Sequence, residues 1–173
     1  MSIDIIVEGQ PGAIHGTLRC EGLTVPCSVG RSGLSRDKHE GDGATPTGRF
    51  QLRRLLYRAD RLQLPVTKLP VTAIAKDDGW CDDMAHPKYN QQVKLPFAAS
   101  HEELWREDNL YDLIVVLGHN DNPVIPGLGS AVFLHVRAPD GGATAGCVAI
   151  KSEYLVAILR ALDPGSFIDI KPV

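Results

Sequence analysis

Glycine and proline interrupt this chain too often for long helices to form. Seventeen Gly and twelve Pro fall among its 173 residues. Gly loosens a helix interior, and Pro breaks one by removing a donor and clashing with the preceding turn. Short apolar runs lie between the interruptions, which is the pattern of strands joined by turns. Ile3–Val7, Ala13–Cys20 and Leu23–Val29 read as strands, separated by Gly-Gln-Pro-Gly and Glu-Gly. A polar stretch, Gly30 to Gly48, has the length and composition of a functional loop. Arg49–Leu56 resumes as a strand, and Leu113–Leu117 (LIVVL) is a continuous apolar run expected of a buried one. Ala131–Val136, Cys147–Ile150 and Phe167–Ile170 complete the set. Ser152–Leu162 carries the clear helical spacing, with Ser152 as N-cap and Asp163-Pro164-Gly165 as the stop. From Lys76 to Asp112 the chain is irregular, with one or two helical turns expected over Ser100–Trp105, where Ser100 and Glu103 fit a capping box. The pattern predicts a mainly β architecture, a sandwich or barrel-like sheet with one helix near the C-terminus.

At 18.7 kDa the chain suits one domain over residues 1–173. A net charge of −3 argues against a generic nucleic-acid or anionic-membrane binder, which needs a basic surface. No apolar run approaches the ~20 residues of a membrane span. The segment Met1–Gly12 lacks a basic start and breaks at Gly9 and Pro11, so no standard export signal is expected. Cys20, Cys27, Cys81 and Cys147 form no CxxC or zinc-type spacing, and no metal site is expected. Cys20 and Cys27 flank a turn and can in principle bridge, but buried free thiols are the commoner outcome in a chain this long. Asp77, Asp78, Asp82 and Asp83 lack calcium-loop spacing and read as a solvated acidic loop.

The strongest chemical constellation lies between Ala131 and Ile150. His135 sits near the end of an apolar strand, and Cys147 follows a Gly-rich turn twelve residues later. A strand, a loop and a second strand can set the two side by side. A nucleophilic thiol needs a base or imidazolium nearby to raise its thiolate fraction. Gly146 permits a tight turn whose amides can face a developing oxyanion. From these two residues alone, a half-buried strand histidine and a core cysteine is the commoner reading. His119 ends another strand and can offer a second imidazole; Asn120 can orient a substrate or simply build a turn. Arg137 shares the face of His135 and can bind a carboxylate, and Trp80 can wall a cleft.

The same segments resemble the L,D-transpeptidase catalytic domain (YkuD-like) family. Thr144-Ala145-Gly146-Cys147 is similar to that family's Ser/Thr-His-Gly-Cys at Thr, Gly and Cys, and His135 to its upstream His. Gly43–Phe50 (GATPTGRF) resembles its T-P-x-G-x-F block. In particular it resembles the proteobacterial branch with a T-x-G-C active-site turn. The resemblance implies a β-sandwich with one C-terminal helix and long active-site loops. It implies a cysteine enzyme, free of metal or organic cofactor, acting on peptidoglycan stem peptides. Cys147 would attack the carbonyl preceding a terminal D-alanine, His135 would pair with the thiol and protonate the leaving amine, and the Gly146 and Cys147 amides would hold the oxyanion. The acyl group would pass to an amine of a second stem (3→3 cross-linking) or to water. His119, Asn120, Arg137 and Thr144 are the implied substrate contacts, and carbapenem acylation of Cys147 is implied as well. Ala145 and Ala149 depart from the family, which usually has His before the Gly and Arg or Asn after the Cys. The family's substrate implies the cell envelope, although no signal peptide is visible. An L,D-carboxypeptidase or amidase, and a non-catalytic peptidoglycan-binding module, are the alternatives.

Overall fold

The short apolar runs become strands as the alternation predicts. The computed structural model describes residues 1–173. Its elements are β1 (Ile5–Gly9), β2 (His15–Cys20), β3 (Leu23–Ser28), β4 (Leu34–Ser35), β5 (Thr45–Pro46), β6 (Gly48–Tyr57) and β7 (Val71–Ala73). They continue as β8 (Asp78–Cys81), β9 (Gln92–Lys94), β10 (His101–Glu103), β11 (Leu113–Leu117), β12 (Phe133–Val136), β13 (Val148–Ile150), α1 (Ser152–Leu159) and β14 (Phe167–Pro172). Nine strands form one sheet in the order β11-β12-β13-β3-β2-β1-β14-β6-β7, and β6 also pairs with β11. The sheet therefore curls until its two halves face each other, a β-sandwich-like arrangement around a core of 24 buried residues. Leu155, Ile158 and Leu159 of α1 join that core, and each fully buried aliphatic side chain contributes about 1.5–3 kcal/mol.

β11 shows why a continuous apolar run was required. Leu113, Val115 and Leu117 enter the main core, while Ile114 and Val116 enter a second cluster with Trp80, Leu104, Tyr111, Phe133 and Cys147. Both faces are covered, so neither set of alternating positions tolerates polar residues.

The segment 76–112 departs from expectation. Instead of helical turns over Ser100–Trp105, His101–Glu103 is a strand opposite Gly79–Cys81, within a three-stranded sheet ordered β10-β8-β9. The ladder, with Leu104 N–H donating to the Asp78 carbonyl at 3.0 Å and Leu104 fully buried, outweighs a local capping signal. The helix also differs: Lys151 occupies the N-cap without a side-chain bond, and Ser152 is already helical. It ends at Leu159, where Ala161 and Leu162 bond three residues back and tighten the turn. Strand β12 starts at Phe133 rather than Ala131, because Ala131 has φ +52° and cannot join a ladder. All four cysteines are free, and Cys20 and Cys27 lie opposite Leu23 and Gly16, not each other. No helix is long and apolar enough to cross a membrane.

Candidate active site

β12 and β13 run parallel, with His135 opposite Ala149. Alternation sends Leu134, Val136, Val148 and Ile150 into the main core and turns Phe133, His135 and Cys147 to the other face. There His135, Cys147 and Ala149 line a cleft of about 330 Å³ together with Thr144, Ala145 and Gly146.

Two threonines fix the turn that carries the thiol. Thr144 Oγ1 donates to the Cys147 carbonyl at 2.6 Å and accepts the Gly146 N–H at 3.1 Å. Thr45 Oγ1 donates to the same carbonyl at 3.3 Å and accepts the Gly30 N–H at 2.8 Å. The two sequence blocks, Gly43–Phe50 and Thr144–Cys147, thus meet at one backbone oxygen. Gly146 has φ +145°, and a Cβ there would stand 2.9 Å from the Ala44 carbonyl oxygen. Gly146→Ala is expected to cost about 1–3 kcal/mol, which lowers the melting temperature by about 2–4 °C for each kcal/mol in a chain of this size. A thermal unfolding scan showing no loss would refute this account of the turn.

The thiol and the imidazole are both held neutral. The Phe133 N–H donates to Cys147 Sγ at 3.3 Å, and the thiol faces the Ala131 carbonyl at 3.2 Å as donor. Burial, followed by the charge of Glu102, pushes this thiol up to about 12, against the smaller opposing effects of the Phe133 N–H and Lys38. His135 Nδ1 lies 2.9 Å from the Val136 carbonyl oxygen. A carbonyl only accepts, so that bond assigns the proton to Nδ1 and leaves Nε2 with a lone pair. Burial, reinforced by the Arg106 charge, pushes His135 down to about 4, with the Val136 and Leu110 carbonyls opposing. Spacing alone anticipates an imidazole that enriches the thiolate, whereas burial in a low dielectric disfavours both charged forms.

Not every implied contact reaches the cleft. Thr144 and Gly146 line it, whereas His119, Asn120 and Arg137 do not. His119 sits edge-on to Phe50 at 5.3 Å between ring centroids, and burial, then the Lys38 charge, push it down to about 4. Asn120 Nδ2 donates to the Ile125 and Gly129 carbonyls at 3.0 and 2.9 Å, and its Oδ1 accepts the Ile125 N–H at 2.8 Å, so its side chain ties its own loop. Arg137 Nε donates to Ser28 Oγ at 2.8 Å. Trp80 packs on Phe133 at 5.0 Å and lines a neighbouring hollow with Arg53 and Arg54 rather than the thiol cleft.

Other residues carry the site without any motif to reveal them. Asn90 Oδ1 accepts the Trp80 Nε1–H at 3.0 Å and the Ala131 N–H at 3.1 Å, fixing the residue whose carbonyl faces the thiol. Lys38 lines the cleft, pairs with Asp42 at 2.6 Å, and its Nζ lies 3.2 Å from where a Gly146 Cβ would be. The Cys147 amide makes no hydrogen bond within the chain, unlike that of Gly146. Tyr111 stands edge-on to His135 at 5.3 Å, and its hydroxyl contacts Glu102. Polar cleft residues carry both signs: Arg31, Lys38 and Arg106 against Glu40, Asp82 and Glu102. No group of three or more His, Cys, Asp or Glu is arranged to hold a metal ion.

A family model described as the L,D-transpeptidase catalytic domain (YkuD) matches residues 19–170. No curated protein matches the chain. Among solved structures, L,D-transpeptidase 3 from Mycobacterium tuberculosis is 10% identical with a TM-score of 0.45, over 98% of this chain and 61% of that one. Its complex with a faropenem-derived adduct gives 12% identity and a TM-score of 0.44, over 98% and 60%. The helical cell shape determining protein Pgp2 from Campylobacter jejuni is 14% identical with a TM-score of 0.42, over 99% and 48%. The chain therefore spans less than two thirds of each of these proteins.

Proposed function

Because the chain belongs to the L,D-transpeptidase catalytic domain family, we propose that it is a cysteine acyltransferase acting on peptidoglycan stem peptides, with Cys147 as nucleophile and His135 as its base. The observation that carries this is the shared cleft, in which a buried thiol and an imidazole lie on one face of β12 and β13.

The neutral state of the pair sets the order of events. The thiol is not ionised in advance, so its proton passes to His135 Nε2 as Sγ bonds to the carbonyl carbon preceding the terminal D-alanine. Imidazolium then protonates the departing D-alanine amine. The oxyanion meets the unengaged Cys147 amide, with the Lys38 ammonium beside Gly146 adding positive potential. Thr144 acts by holding the turn, through its bonds to Gly146 and Cys147. Ala138, Ala143, Ala145 and Ala149 give the cleft small apolar lining. Recognition of a stem peptide, which carries both carboxylates and amines, falls instead to the charged side chains around them. The acyl group then passes to an amine of a second stem. The reaction requires no cofactor, and its polymer substrate implies the cell envelope.

The test is incubation with a purified tetrapeptide stem followed by mass spectrometry. A cross-linked dimer that has lost D-alanine is the expected product. Tripeptide alone identifies a carboxypeptidase of the same fold. Neither product, from folded protein with reduced Cys147, would refute the proposal and favour a binding module.

A further inference from the structure

We propose that Glu102 takes the proton from the incoming acceptor ammonium, so that a free amine attacks the Cys147 thioester. This rests on the acyl-transfer reading above and assigns a residue to its second half, which the Cys–His pair alone leaves incomplete.

The placement comes from the small sheet β10-β8-β9, whose strand β10 brings Glu102 to the cleft that Cys147 and His135 line. Tyr111 stands between the carboxylate and the base. Its ring is edge-on to His135 at 5.3 Å, and its hydroxyl lies 3.2 and 3.4 Å from the two Glu102 oxygens. One hydroxyl has one hydrogen, so at least one carboxylate oxygen keeps its capacity for another donor.

The groups around Glu102 explain why that capacity is unused. Tyr111, Asp82, Arg106, Glu40 and Cys147 are the titratable groups that act on it or that it acts on. Two of these are carboxylates, and Cys147 is a neutral thiol. The one cation, Arg106, commits its fork to Asp108, at 2.9 and 2.6 Å. Glu102 therefore has no ion-pair partner, whereas Asp42, Asp60, Asp78 and Asp112 each have their own Lys or Arg. Burial pushes its carboxyl up to about 7, with the Tyr111 bond and Arg106 opposing and Asp82 and Glu40 reinforcing. A carboxyl poised there is partly ionised near neutrality, yet basic enough to hold a proton.

The chemistry needs such a group. An acceptor amine reaches the site mainly as ammonium, which has no lone pair. The ammonium gives one proton to the Glu102 carboxylate, leaving a neutral amine and a carboxylic acid. The amine nitrogen bonds to the thioester carbonyl carbon and the C–S bond breaks. A second N–H proton passes to His135 Nε2 and on to the departing sulfur. Glu102 then returns its proton to solvent. One ammonium and one thioester become one amide, one thiol and one proton.

Glu102→Gln tests the assignment, because the amide oxygen can still accept from Tyr111. Acylation is followed as D-alanine release from a tetrapeptide stem and as carbapenem adduct formation. Transfer is followed as cross-linked dimer, from pH 5.5 to 9. The ratio of transfer to acylation is expected to fall by about 10²-fold or more near pH 7, within the range for a lost general base. The deficit should narrow towards pH 9, where more of the acceptor is already free amine. The wild-type transfer profile should rise through an apparent pKa near 7, and the variant should lose that rise. A ratio unchanged at every pH overturns the proposal, as does a parallel loss of both steps, which is what a merely structural Glu102 would give. Wild-type protein that acylates but only hydrolyses also overturns it while leaving acyl-enzyme chemistry standing. Absence of any wild-type acylation refutes the parent reading instead, and this one with it.

Discussion

Cys147→Ser is expected to reduce turnover of a tetrapeptide stem by at least about 10³-fold and to remove the single covalent adduct that a carbapenem should leave on the wild-type protein. The hydroxyl is a far weaker acid than even this raised thiol, and His135, held near 4 by burial, is too weak a base to activate it. Serine is the informative substitution because its oxygen can still accept the Phe133 N–H and donate to the Ala131 carbonyl, as Sγ does. Alanine would leave both buried groups unpaired at about 1–3 kcal/mol each and confound lost chemistry with lost stability. Intact-protein mass and a thermal scan, read together, separate the two. The remaining thiols are buried outside the cleft, with Cys20 and Cys27 pushed up to about 11 chiefly by burial. An adduct that persists on Cys147→Ser and maps to one of them would remove Cys147 from the mechanism.

The long-range half of this structure is the part that local patterns do not encode. β11 runs over Leu113–Leu117, the limits that its apolar run predicts, because being buried on both faces writes itself into every position. The strands β8, β9 and β10 are three or four residues long and mostly polar, so they have too few turns of alternation to register. Their pairing joins residues 12 to 24 apart, and the local signal at Ser100 and Glu103 favours a helix. The site divides along the same line. Cys147, Gly146 and Thr144 share one short turn, and His135 reaches them by the parity of two adjacent strands. Glu102, Tyr111, Lys38 and Asn90 come from other segments and acquire meaning only once the small sheet and the Gly30–Gly48 loop fold over that turn. Spacing also says nothing about dielectric. It can bring a thiol and an imidazole together, but the number of apolar neighbours decides whether the pair is ionised.

That distinction makes His135→Gln the sharpest probe of mechanism. Acylation by a carbapenem or a stem peptide is expected to fall about 10²–10⁴-fold, the range for a lost general base. The dependence of thiol alkylation on pH is expected to stay nearly where it is. A neutral imidazole lends no charge to the thiolate, so removing it does not shift a thiol that burial already holds near 12. In the wild-type protein, acylation should decline as pH falls towards 4, because the base works deprotonated and is lost as His135 takes a proton. The variant has no such group and should lack that acidic limb. Long-range ¹H–¹⁵N spectra of the wild-type protein at pH 7 should show His135 neutral, with the proton on Nδ1 that the Val136 bond assigns. A thiolate–imidazolium pair makes the opposite prediction: His135→Gln would move the alkylation curve to higher pH, by a unit for each 1.4 kcal/mol of coupling. His119→Gln is the control, since that ring packs on Phe50 outside the cleft and should change neither curve more than about threefold. If His119→Gln abolishes acylation and His135→Gln spares it, the base has been assigned to the wrong histidine.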